Sequence, residues 1–227
     1  VLTDHLPVRA TAPLREPHGD GLADLHARQS REPARRSPTM QDGAMTATTL
    51  IDQFRTDAAR FGAVVDAGGV WEGASPCEGW TAAHVVEHVI ATQRDFLDQR
   101  GVDTGPAPDG TPAERWRAHR ELLDRVLTPE FVESGFDGYF GPTTVADALR
   151  DFYMFDLLVH RWDLALALGQ PAEFSDAELD RLEAAVPEPG TPLHAAFYSA
   201  GVCQPAVDVD PGADRLTRVM AQFGRAA

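Results

Sequence analysis

From Leu50 onward the chain places apolar residues three or four positions apart: Leu50, Phe54, Ala58, Phe61 and Val65. On a helix of 3.6 residues per turn these form one stripe. Gly68-Gly69 closes it, because glycine readily takes the left-handed conformation that ends helices. A turn segment comes next, Ser75-Pro76-Cys77-Glu78-Gly79-Trp80, and a second helix is expected from about Thr81 to Asp98 with Val85, Val89, Thr92 and Phe96 on its stripe. Thr111-Pro112-Ala113-Glu114 opens a third, with a cap, a proline at the first position and a glutamate at the third. Its apolar face is Trp116, Leu123 and Val126 or Leu127, and Pro129 closes it. Thr144-Val145-Ala146-Asp147 opens the fourth and longest helix, expected to reach Leu168 and to stop at Gly169 with Pro171 beyond. Ser175 to Glu178 cap a short fifth helix carrying Leu179, Leu182 and Val186. Pro187 to Pro192 and Cys203 to Pro211 read as loops, and a last helix is expected over Ala213 to Phe223. With no internal repeat and no convincing alternating strand, the pattern predicts an all-α helical bundle.

Residues 1–44 break this pattern. Pro7, Pro13, Pro17, Pro33 and Pro38 punctuate them, and large apolar residues are few. Six acids (Asp4, Glu16, Asp20, Asp24, Glu32, Asp42) balance six arginines (Arg9, Arg15, Arg28, Arg31, Arg35, Arg36). The stretch is expected to be a disordered extension, with the folded domain running from Met45 to residue 227. The formal net charge of -15 (20 Lys+Arg, all of them Arg, against 35 Asp+Glu) therefore belongs to the later residues. Nucleic-acid binding draws on clustered cations, so such a partner is not expected. An anionic membrane surface would be repelled, and no apolar run approaches the ~18 residues of a membrane span. The first residues lack the apolar core of a signal peptide. Two distant cysteines, Cys77 and Cys203, form neither a disulfide framework nor a metal knuckle. These features fit a cytoplasmic protein, and monomer and homodimer remain open alternatives.

The chemistry lies in the fourth helix. At 100 degrees per residue, Val145, Leu149, Phe152, Asp156, His160, Asp163 and Ala167 fall within roughly 40 degrees of one line. Asp147, Arg150, Asp151 and Arg161 fall on the opposite, outer face. The inner face thus holds an acid and a histidine at i, i+4, where both side chains project one turn apart. An unpaired carboxylate there would cost several kcal/mol or lose its charge. Two ligands of one metal ion would compensate it, and so would a buried Asp–His ion pair. A third ligand would come from the second helix, where His88 lies about 60 degrees from the centre of the stripe and His84 about 100 degrees. His88 is the better inward candidate, with His84 at the rim. Cys77 precedes an acid and not a cation, so its expected role is structural.

Two segments carry a resemblance: Pro76-Cys77-Glu78-Gly79-Trp80-Thr81 with His88 after it, and Asp156-Leu157-Leu158-Val159-His160-Arg161-Trp162-Asp163-Leu164-Ala165. They resemble the two signature segments of the mycothiol-dependent maleylpyruvate isomerase N-terminal family, within the DinB-like superfamily. Asp214-Arg215-Leu216 and Phe223-Gly224-Arg225 resemble the tail of a short actinobacterial subfamily. The likeness spans roughly Met45 to Arg225. It implies a DinB-like four-helix bundle with short extra C-terminal helices, and a metal held by His88, Asp156 and His160. Zinc is the first expectation for the metal, with iron or nickel as alternatives, and mycothiol for the thiol cofactor. The partners implied are a small-molecule thiol and a small electrophile. The family usually has Glu where this chain has Asp156, one methylene shorter. The isomerase proper also carries a separate C-terminal domain, which is not expected here. Two histidines and one carboxylate leave a coordination position open, the pattern of a catalytic zinc site. Asp163 or Glu87 would orient a ligand imidazole. The expected function is a metal- and thiol-dependent transferase or isomerase-like enzyme, with a non-catalytic metal- or thiol-binding module as the alternative.

Overall fold

A computed structural model describes residues 45–138, 141–199 and 203–225 of the chain. The expected extension over residues 1–44 lies outside the described residues. The first helix, α1 (Ala47–Ala67), begins where the Thr46 hydroxyl accepts from the Thr49 N–H, and ends at Gly68 with φ +67°. Helix α2 (Ala82–Gln99) is capped by Thr81, whose own N–H donates to Nδ1 of His84 at 3.2 Å. A reciprocal Thr111–Glu114 box opens α3 (Pro112–Val126). Pro129, expected as a stop, is instead the first residue of a short helix, α4 (Pro129–Glu133), capped by Thr128. Both roles stem from one property, since proline's missing N–H is harmless at a helix start.

The strand-free expectation is corrected by a small antiparallel hairpin, β1 (Gly135–Gly138) with β2 (Gly141–Thr144), in which Gly135 faces Thr144 and Gly138 faces Gly141. Glycine-rich strands this short carry no alternation to read.

The fourth helix is not uniform. It consists of α5 (Val145–Ala148), a π-helical stretch (Leu149–Tyr153) and α6 (Met154–Ala167). A π turn adds a residue to the ladder and rotates the residues beyond it. Phe152, expected on the inner face, is 39% exposed, while Met154 is buried. The i, i+4 relation of Asp156 and His160 survives because both lie beyond that stretch.

Helix α6 packs on α1 and α2, and α3 lies against the same two helices. Phe54, Phe61, Val85, Val89, Trp116, Leu157 and Leu164 fill the core between them. A second apolar cluster covers the other side of α6. There Leu158, Val159 and Trp162 meet residues of α7 (Asp176–Ala185), α8 (Pro192–Ser199) and α9 (Arg215–Ala221), with Phe223 just beyond. A helix covered on both sides is apolar nearly all round. Arg161, expected on an exposed face, is accordingly buried and donates from Nη1 to Glu178 Oε1 at 2.7 Å. Arg60 of α1 reaches the same carboxylate at 2.6 Å, and Arg181 of α7 meets the buried Asp57 of α1 at 2.6 Å. These pairs tie the C-terminal helices to the bundle. Among the described residues no helix is long and apolar enough to cross a membrane.

Candidate metal centre

The turn between α1 and α2 forms one wall of the site. Gly73 lets this loop press on the end of α6: a Cβ there would lie 2.1 Å from the Ala167 carbonyl oxygen. Ser75 accepts from the Cys77 N–H, Trp80 N–H donates to the Cys77 carbonyl, and Gly79 supplies the positive φ (+77°) the turn requires. The result aims Trp80 across the end of α2. Its ring lies 4.7 Å from that of His88 and stacks at 5.8 Å on that of His160.

The three residues singled out by sequence meet here. Asp156 Oδ1 lies 3.3 Å from Nε2 of His160 and 3.8 Å from Nε2 of His88. All three donor atoms are within 4.8 Å of one another. Donors held tetrahedrally at zinc distances stand ~3.4 Å apart, so the spacing fits such an ion. The second Asp156 oxygen, Oδ2, is buried without a hydrogen-bond partner among the described residues. A buried carboxylate oxygen left unpaired is costly, and a cation would satisfy it. The donor set of two imidazoles and a carboxylate suits a borderline-soft divalent ion. The shorter Asp156 thus still reaches both histidines.

Electrostatics follow the same geometry. Burial works against the charge of Asp156, but His160 and His88 outweigh it and hold the carboxyl well below the usual carboxylate range. Burial likewise disfavours charged His160, yet Asp156, Asp163 and Cys77 raise it well above the ordinary imidazole value. Asp163 is held low by His160 and Arg225 against the effect of burial. With Asp163 ionised, its Oδ2 must accept the Nδ1–H of His160 at 2.9 Å. That fixes the ring so that Nε2 faces Asp156. A metal at Nε2 would replace a proton there.

Of the other candidates, His84 and Glu87 stand apart. His84 is an exposed helix cap, and Glu87 pairs with Arg115 at 3.2 Å. Cys77 has no cation beside it in sequence; the fold supplies one from the far end of the chain, with Arg225 Nη2 3.4 Å from its sulfur. Cys77 also lies 3.2 Å from Asp163 Oδ2. Cys203 is buried, and burial pushes its thiol up to about 11. Sequence reasoning missed the buried His119–Gln93 pair between α3 and α2, although His119 stands at i+3 from Trp116 on the apolar stripe.

A family model described as the mycothiol maleylpyruvate isomerase N-terminal domain matches residues 51–165. Two uncharacterized proteins of Mycobacterium tuberculosis, from strains CDC 1551 / Oshkosh and ATCC 25618 / H37Rv, are each 31% identical over 119 residues. Those matches cover 50% of this chain and 63% of each relative, so the chain spans less than two thirds of their length. No solved structure gives a significant match.

Proposed function

The chain belongs to the mycothiol maleylpyruvate isomerase N-terminal domain family, a mycothiol-associated family of DinB-like metal-binding bundles, and from that premise we propose that it is a metal- and thiol-dependent enzyme acting on small electrophiles. His88, Asp156 and His160 are the ligands in this reading, and zinc is the metal. The observation that carries it is the convergence of these donors on one point, with Asp156 Oδ2 buried and otherwise unpartnered among the described residues.

A bound divalent ion would supply a Lewis acid that keeps a small thiol deprotonated at neutral pH. The chain's own residues do the rest. Asp163 holds the His160 Nδ1–H and so aims Nε2. Asp156 anchors both imidazoles from between them. The Trp80 ring packs against both histidines. The thiol loses its proton to solvent, and its sulfur forms a C–S bond with the electrophile as the leaving group departs. In an isomerase-like variant the sulfur adds and later leaves, so no thiol is consumed.

The test is zinc-loaded protein incubated with mycothiol and 1-chloro-2,4-dinitrobenzene, together with calorimetric titration with mycothiol alone. Conjugation that requires zinc, and that is lost in His160→Ala, supports the enzyme. Zinc-dependent mycothiol binding without turnover of any electrophile would replace it by a binding module. Neither binding nor conjugation would overturn the proposal.

A further inference from the structure

The carboxylate that aims His160 is itself held by a residue from the last turn of the described chain. Asp163 is fully buried. Arg225 Nη2 donates to its Oδ2 at 3.0 Å and Nε to its Oδ1 at 3.2 Å, so the planar guanidinium spans both oxygens. Such a fork fixes the plane of a carboxylate, which a single donor does not. The third nitrogen, Nη1, donates to the Phe223 carbonyl at 2.8 Å.

Local sequence explains how Arg225 arrives there. Beyond α9 the chain closes in a left-handed helix ending: Gly224 takes φ +75°, its N–H donates to Ala221 O, and the Arg225 N–H donates back to Met220 O. Gly224 is required twice, since a Cβ there would also lie 2.4 Å from Gln204 Cβ. The Phe223-Gly224-Arg225 sequence thus buries Phe223 in the second core and points Arg225 at Asp163. Cys77, a His160 ring nitrogen and Asp163 form a further group of close donors. Arg225 is the cation already seated against it.

We propose that Arg225 is a positioning residue of the metal centre: it locks Asp163 in the orientation that holds the His160 Nδ1–H, and thereby makes metal affinity depend on docking of the C-terminal helices. This rests on the metal reading above. Arg225 lies in the C-terminal layer, outside the family-matched residues 51–165.

The experiment is zinc affinity, by competition with a chromogenic chelator, for the full chain and for Arg225→Ala, Arg225→Lys, Asp163→Asn and the Arg225→Ala/Asp163→Asn double variant. Circular dichroism melts are recorded on each. Loss of an outer residue that orients a ligand weakens metal binding about 10–100-fold, which is the expectation for Arg225→Ala. Arg225→Lys should lose several-fold, because lysine keeps the charge but not the fork. The double variant should bind no more weakly than Asp163→Asn alone, because Arg225 acts through Asp163. In metal-free protein, NMR should show a slowly exchanging His160 Nδ1–H that is lost in Arg225→Ala. A folded Arg225→Ala with full zinc affinity and an intact Nδ1–H signal overturns the proposal, as do additive losses. If Arg225→Ala does not fold, unchanged affinity and signal in Arg225→Lys overturn it instead. Should wild-type protein bind no zinc, the functional reading fails, while the imidazole signal still decides the role of Arg225.

Discussion

Acid should unfold this protein in part through His119. The imidazole is fully buried between α2 and α3, with Nε2 on Gln93 Oε1 at 2.9 Å. Burial first, and Arg94 second, push its pKa from 6.5 down to about 3. Between those values the unfolded chain binds a proton that the folded chain refuses, so stability falls as pH falls below 6.5 and the loss is complete near 3. That lowering corresponds to at most ~5 kcal/mol, and ~2.5 kcal/mol of it lies between pH 7 and 4.5. The perturbation is His119→Gln, which removes the titration and retains a polar partner for Gln93. Urea unfolding of both proteins, stripped of metal and monitored by circular dichroism from pH 7 to 4.5, isolates the effect, because all other groups are shared. The variant should be the less stable at pH 7, and the gap should close by about 2 kcal/mol or more at pH 4.5. Parallel pH profiles would refute the reasoning.

The π-helical stretch predicts an inversion of the usual hydrophobic ranking: Phe152→Ser should cost under ~1 kcal/mol, whereas Met154→Ala should cost about 2–4 kcal/mol, both by urea unfolding. A large loss at Phe152 with a small one at Met154 would mean that the helix is regular. Gly73→Ala forces a Cβ onto the Ala167 carbonyl and should cost about 2 kcal/mol; it should also weaken zinc binding, because the same loop carries Trp80 and Cys77. Wild-type stability in Gly73→Ala would show that the loop does not press on α6.

Much of this is legible in the chain. The caps at Thr111 and Ser175, the stripe of α1 and the i, i+4 pair Asp156/His160 are local features, and each depends on residues within a turn of one another. What escapes is non-local or cumulative. The charges on the outer face of the fourth helix suggest a solvated surface, and Arg150 and Asp151 are exposed as expected, but the C-terminal helices cover Arg161, which finds Glu178 seventeen residues away. The π-helical stretch breaks an angular calculation that assumes a constant 100 degrees per residue, which displaces Phe152 and leaves the i, i+4 spacing of Asp156 and His160 intact. The sequence neighbours of Cys77 hold no cation, whereas Arg225, the cation beside it in space, is 148 residues distant. His119 sits on the stripe of α3 in plain view, and its i+3 step from Trp116 is signal enough to place it inward.

The central claim is that His88, Asp156 and His160 hold one divalent ion. It is tested most directly by elemental analysis of the purified full chain beside His88→Ala and His160→Ala, each after reloading with zinc and removal of excess by gel filtration. About one zinc per wild-type chain is expected, with little retained in either variant and helical content preserved in both. Wild-type protein that retains no metal, or variants that retain as much as wild type, would contradict the account and leave Asp156 and its two histidines as a half-buried ion-pair cluster.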